Sequence, residues 1–140
     1  MVTITVKEPV IGSDISVYKN TTIVIKMSGL GKISGYSKLW FTAKIYPEDE
    51  DDKSIIQIEH SVGTTYLNRK PALMPENGSI EVDNENSGSI TITLHEQCAC
   101  TMPTIDSLYY DVKVLIGDSS VEQLVCGRLN ICATITKAIH

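Results

Sequence analysis

Apolar and polar residues trade places at every second position in several short stretches of the chain. Leu39, Phe41, Ala43 and Ile45 alternate with Trp40, Thr42, Lys44 and Tyr46. Ile90, Ile92 and Leu94 alternate with Thr91 and Thr93, and Tyr110, Val112, Val114 and Ile116 alternate with Asp111 and Lys113. A period of two puts one set of side chains on one face of a strand. No window sustains apolar residues at i, i+3, i+4 and i+7, so little helix is expected. Clusters of Gly, Asn, Asp or Pro separate the alternating stretches. Strands are predicted over 2–7, 15–19, 22–28, 37–46, 54–60, 79–84, 89–95, 107–116 and 120–136. This is the pattern of an all-β sandwich or small barrel of antiparallel strands.

The connections carry turn chemistry. The segment from Ser28 to Gly35 is Gly-rich and reads as a flexible connection whose glycines supply positive φ. Pro47 to Lys53 and Asn84 to Gly88 read as hairpin loops. The stretch 61–78 shows no clear alternation and reads as a surface excursion. In the last strand Val121, Gln123, Val125, Gly127, Leu129, Ile131, Ala133 and Ile135 share one parity. One long strand with a glycine bend and no inserted residue is predicted there.

With 140 residues the chain is expected to form a single domain, 1–140, with a core that needs no staples. Ile (18), Thr (13) and Val (11) dominate, against one Phe and one Trp, which points to an aliphatic interior of stiff β-branched side chains. The net charge of −5 argues against a nucleic-acid or anionic-membrane surface. No apolar run approaches the roughly 20 residues of a membrane span. Met1 to Lys7 alternate like a strand and lack the order of a secretory signal, so folding in a cytosol is expected. There Cys98, Cys100, Cys126 and Cys132 default to thiols, and Asn20-Thr21-Thr22 and Asn77-Gly78-Ser79 are chance sequons. On one extended strand Cys126 and Cys132 would lie ~20 Å apart, too far to bridge.

Candidate chemistry is sparse. Glu48 to Asp52 place five carboxylates in a row, either a calcium site or a solvated hairpin tip. Adjacent strand-like residues point opposite ways, which favours the tip. Asp83 to Gly88 starts like an EF-hand loop, but its twelfth position is Leu94 and its flanks alternate as strands. His95, Cys98 and Cys100 lack the paired spacing zinc requires. No nucleophile elbow or phosphate loop is present, so no catalytic residue and no cofactor is assigned. Trp40 faces away from the apolar set of its strand and is the best interface candidate, with Tyr46 on the same face. The plainer alternative is that a loop or neighbouring strand covers Trp40.

Two runs, Leu39-Trp40-Phe41-Thr42-Ala43-Lys44 and Tyr109-Tyr110-Asp111-Val112-Lys113-Val114, resemble strands of the immunoglobulin-like N-terminal domain of phage baseplate upper proteins and related small virion or tail-fibre proteins. Ser54-Ile55-Ile56-Gln57, Gly88-Ser89-Ile90-Thr91-Ile92, Leu124 to Leu129 and Ala133 to Lys137 follow in that family's order, so the resemblance spans about 15–137. The excursion 61–78 and the Cys98-Ala99-Cys100-Thr101 run depart from the family pattern. Met102-Pro103 before Tyr109 and Tyr110 is similar to the tyrosine corner of sandwich folds. The resemblance implies an immunoglobulin-like antiparallel β-sandwich. It also implies a non-enzymatic structural protein of a phage or prophage tail, baseplate or connector. Such a protein is made in the bacterial host cytoplasm and resides in the virion. Its partners would be other virion proteins and, by symmetry, further copies of itself. The alternative is a stand-alone module binding a carbohydrate or host surface through loops 29–36 and 61–78.

Overall fold

The computed structural model describes residues 2–7, 14–18, 21–96, 107–117 and 120–132. Eleven strands lie among them: β1 (Val2–Lys7), β2 (Ile15–Tyr18), β3 (Ile23–Ser28), β4 (Tyr36–Lys44), β5 (Ile56–Glu59), β6 (Gly63–Leu67), β7 (Lys70–Pro71), β8 (Gly78–Asn84), β9 (Ser89–Leu94), β10 (Ser107–Ile116) and β11 (Ser120–Cys132). They form a four-stranded sheet in the order β1-β3-β9-β8 and a seven-stranded sheet in the order β2-β11-β10-β4-β5-β6-β7.

The alternation explains the layering. Ile23, Ile25 and Met27 of β3 and Ile90, Ile92 and Leu94 of β9 point inward from one sheet. Leu39, Phe41 and Ala43 of β4, Ile56 and Ile58 of β5, and Leu108, Tyr110, Val112 and Val114 of β10 meet them from the other. All are buried, and Phe41 stacks on Tyr110 with ring centroids 5.8 Å apart. Burial pushes the Tyr110 phenol up to about 12, with Asp14 and Cys126 adding to the shift, so it stays neutral. The sheet order is that of an immunoglobulin-like sandwich of the variable type, in which extra strands extend the sheet containing the last hairpin. No cysteine lies on β3, so the core is aliphatic where antibody domains carry a disulfide between the sheets.

Several expectations change. The strands are not all antiparallel: β1 pairs with β3 and β2 with β11 in parallel, each at a sheet edge reached by a long connection. Strand β4 stops at Lys44, two residues early, because Pro47 cannot donate to the ladder and the chain turns through an Asp49 N–H to Tyr46 carbonyl bond. The stretch 61–78 is not a featureless excursion. It holds β6, β7 and a short 3-10 turn, Pro75–Asn77, which widen the larger sheet. Residues 28–35 are anchored to the β8–β9 turn at two points. Leu30 N–H donates to Gly88 and Ile33 N–H to Glu85, and the Ile33 side chain is wholly buried.

The last strand carries the most consequential correction. The inward parity survives across Gly127, since Val125, Leu129 and Ile131 are all buried. Upstream, however, Val112 pairs with Val125 while Lys113 pairs with Gln123, so Leu124 is an inserted residue. This β-bulge reverses the faces. Val121 and Gln123 therefore share the outer face with Leu115 and Lys113 instead of entering the core. The end of this strand beyond Cys132, the proposed tyrosine-corner turn at Met102-Pro103, and Cys98 and Cys100 lie outside the described residues.

Candidate functional site

Register across the seven-stranded sheet builds rows of side chains on its outer face. One row is Arg128, Tyr109 and Lys44; the next is Cys126, Asp111, Thr42, Gln57 and Tyr66; the third is Gln123, Lys113, Trp40 and Glu59. Directly opposed residues sit about 4.5–5.5 Å apart at Cβ. The middle row begins with three short side chains, Cys126, Asp111 and Thr42, while the rows on either side are long. The result is a trough of about 520 Å³ across β11, β10 and β4, closed at its rim by Asp14 and Pro47. A second basin of about 230 Å³ shares Thr42, Lys44, Asp111 and Lys113 with it and runs on toward Trp40 and Val121. The bulge at Leu124 is what brings Gln123 to the wall of the first basin and Val121 to that of the second.

The walls are held by polar contacts. Lys44 Nζ donates to the Asp49 carbonyl (2.7 Å) and to Asp51 Oδ1 (2.9 Å). Arg128 Nε donates to Ser107 Oγ (2.7 Å) and Nη1 to the Tyr109 hydroxyl (3.2 Å), and its guanidinium stacks on the Tyr109 ring at 4.5 Å. Beside the trough, Gln57 Nε2 donates to Thr42 Oγ1 (3.2 Å) and Thr65 Oγ1 to Gln57 Oε1 (2.8 Å). Thr42 and Gln57 of this ladder are buried although they lie on the outer face. Such fixed side chains lose little further rotamer freedom on binding.

Two carboxylates of the site, Asp111 and Asp51, are driven apart. Burial raises the Asp111 carboxyl above its ordinary value more than Lys113 and Lys44 lower it, and Asp51 adds to the rise. Burial pushes Asp51 up as well, but the Lys44 hydrogen bond and charge, with Gln57 and Lys113, hold it below the usual value. The Lys113–Asp111 pair is 3.8 Å apart, longer than a hydrogen bond, so the Asp111 carboxylate keeps acceptor capacity toward the trough.

Trp40 lies on this face as expected. It is half-buried, and its indole Nε1 donates to Glu59 Oε1 at 2.9 Å, so the neighbouring strand does partly cover it. Tyr46 is exposed but sits in the turn after β4, off the sheet face. Within the acidic loop, Asp51 pairs with Lys44 and Asp49 with Arg69 (3.5 Å). Among the described residues no three His, Cys, Asp or Glu side chains gather closely enough to hold a metal ion. Sequence reasoning missed Asp111, Lys113, Gln123 and Arg128 as a set. Their outward parity was readable; the register that lines up the short residues was not.

No protein-family model matches the chain, and no curated protein matches it in sequence. Among solved structures the chain is similar to the NK cell receptor Nkp44, described as a triggering partner in natural cytotoxicity. The TM-score is 0.52 at 15% identity, covering 86% of this chain and 98% of that one. At that identity the likeness speaks to fold alone, and it agrees with the immunoglobulin-like sheet order.

Proposed function

We propose that the chain is a non-catalytic module of a phage or prophage particle, made in the host cytoplasm and carried in the virion, that works by docking through the outer face of its seven-stranded sheet. The observation that carries the docking is the trough itself, a concavity of about 520 Å³ on the sheet face with its walls already fixed by hydrogen bonds. Trp40 supports the reading, since a half-exposed tryptophan beside a concavity suits an interface anchor. The particle assignment is supported by the ordered strand patterns that resemble the baseplate domain. Other virion proteins are then the partners, and further copies of the chain join through closed symmetry. The net charge of −5 disfavours nucleic acid and anionic membrane as partners. Antibody labelling of purified particles from the source organism, viewed in negative stain, tests the assignment. Label on the particles is expected; particles that never label would overturn it.

A further inference from the structure

The two basins are charge-balanced. In the trough Asp14 and Asp111 face Lys44, Lys113 and Arg128, and the extra cation, Lys44, is paired with Asp51 of the second basin, so the two together hold three carboxylates against three cations. A strongly anionic or cationic ligand gains nothing net from such a surface. Two of the cations are also committed, Lys44 to Asp51 and the Asp49 carbonyl, Arg128 to Ser107 and Tyr109. Asp111 keeps unused acceptor capacity at the trough floor, while the Lys113 ammonium and Gln123 amide offer donors beside it. The volume of about 520 Å³ falls within the ~300–1,000 Å³ of small-ligand sites.

We propose that this trough binds a neutral saccharide, with Asp111 accepting hydrogen bonds from its hydroxyls and Lys113 and Gln123 donating to its oxygens. A polyhydroxylated neutral ring is the ligand class that supplies many donors and acceptors together without net charge. The site lies on the sheet face, not on loops 29–36 and 61–78, where the sequence placed such binding. It does not depend on whether the chain belongs to a particle.

Screening the full chain on an array of neutral and anionic glycans tests it. Binders among the neutral glycans are expected, and titrating the best of them into isotope-labelled protein should shift the amides of Asp111, Lys113 and Gln123. Asp111→Asn should weaken that binding at least roughly tenfold, since a charged acceptor is lost. Glu81→Gln, on the outer face of the other sheet, should leave it unchanged. Neutral binding untouched by Asp111→Asn, binders confined to anionic glycans, or no neutral binder at all would overturn the proposal. So would a protein partner lost in Asp111→Asn with no neutral glycan bound. Particle labelling is a separate readout, so either proposal fails without the other.

Discussion

Asp51 and Asp111 line the same basin yet should respond oppositely to acid. Asp51 has a lowered folded-state pKa. The unfolded chain therefore takes up a proton first as pH falls, and Asp51's contribution to stability is lost on passing down through its folded value. Its side chain is largely exposed, which screens that contribution. Asp111 has a raised folded-state pKa. Between the unfolded value and that higher one, the folded chain holds more protons, so stability falls as pH rises through the interval. Above that interval the ionised Asp111 is a burden on the fold. Asp111→Asn should therefore raise the melting temperature wherever the native Asp111 is ionised. The gain should vanish at a pH below the Asp111 titration. Calorimetric melting from acid to neutral pH checks this, and a variant that melts no higher than the native chain at any pH would contradict it. A residue kept at a cost to stability is what a binding site uses.

Two glycines separate local strain from crowding at the level of elements. Gly88 closes the β8–β9 hairpin at φ +73°, where a Cβ would lie 2.1 Å from the Gly31 carbonyl oxygen, against the backbone of the neighbouring loop. Gly117 has φ +64° with nothing within 4 Å of a Cβ. Gly117→Ala should cost about 1–2 kcal/mol, the left-handed penalty alone. Gly88→Ala should cost clearly more, because the 29–33 loop must move and strain its bonds to Glu85 and Gly88. Denaturant midpoints of the two variants give the comparison, and equal losses would contradict it. Most strands were legible because Ile, Val and Leu alternate in them. Strand β6 was not, since the buried position of Gly63–Leu67 is Thr64 and no apolar alternation announces it. Its turn into β7 places Asn68 and Arg69 at φ 52° and 66°. Asn-Gly is the usual signal for such a turn. The Arg69 N–H bond to Ser54 and the Asp49 pair hold this turn in the glycine's place. The Leu124 bulge escaped for a related reason. Val121 to Ile135 keep unbroken parity, and only pairing against β10 exposes the inserted residue.

Across the whole molecule, an aliphatic interior closes two sheets and leaves their outer faces with different characters. The four-stranded sheet presents a row of Thr5, Lys26, Thr91 and Glu81, while the seven-stranded sheet presents the trough and Trp40. The all-β sandwich-or-barrel class followed from periodicity and its immunoglobulin-like form from the family resemblance, but the working face followed from register, bulge and strand order, which are long-range pairings. The central claim is that recognition uses the seven-stranded face. Placing a photoreactive amino acid at position 123, and in a second protein at position 81 on the opposite face, tests it most directly when each is crosslinked in the particles proposed to carry the chain. Adducts from position 123 and none from position 81 are predicted. Adducts from position 81 with none from position 123 would contradict the account.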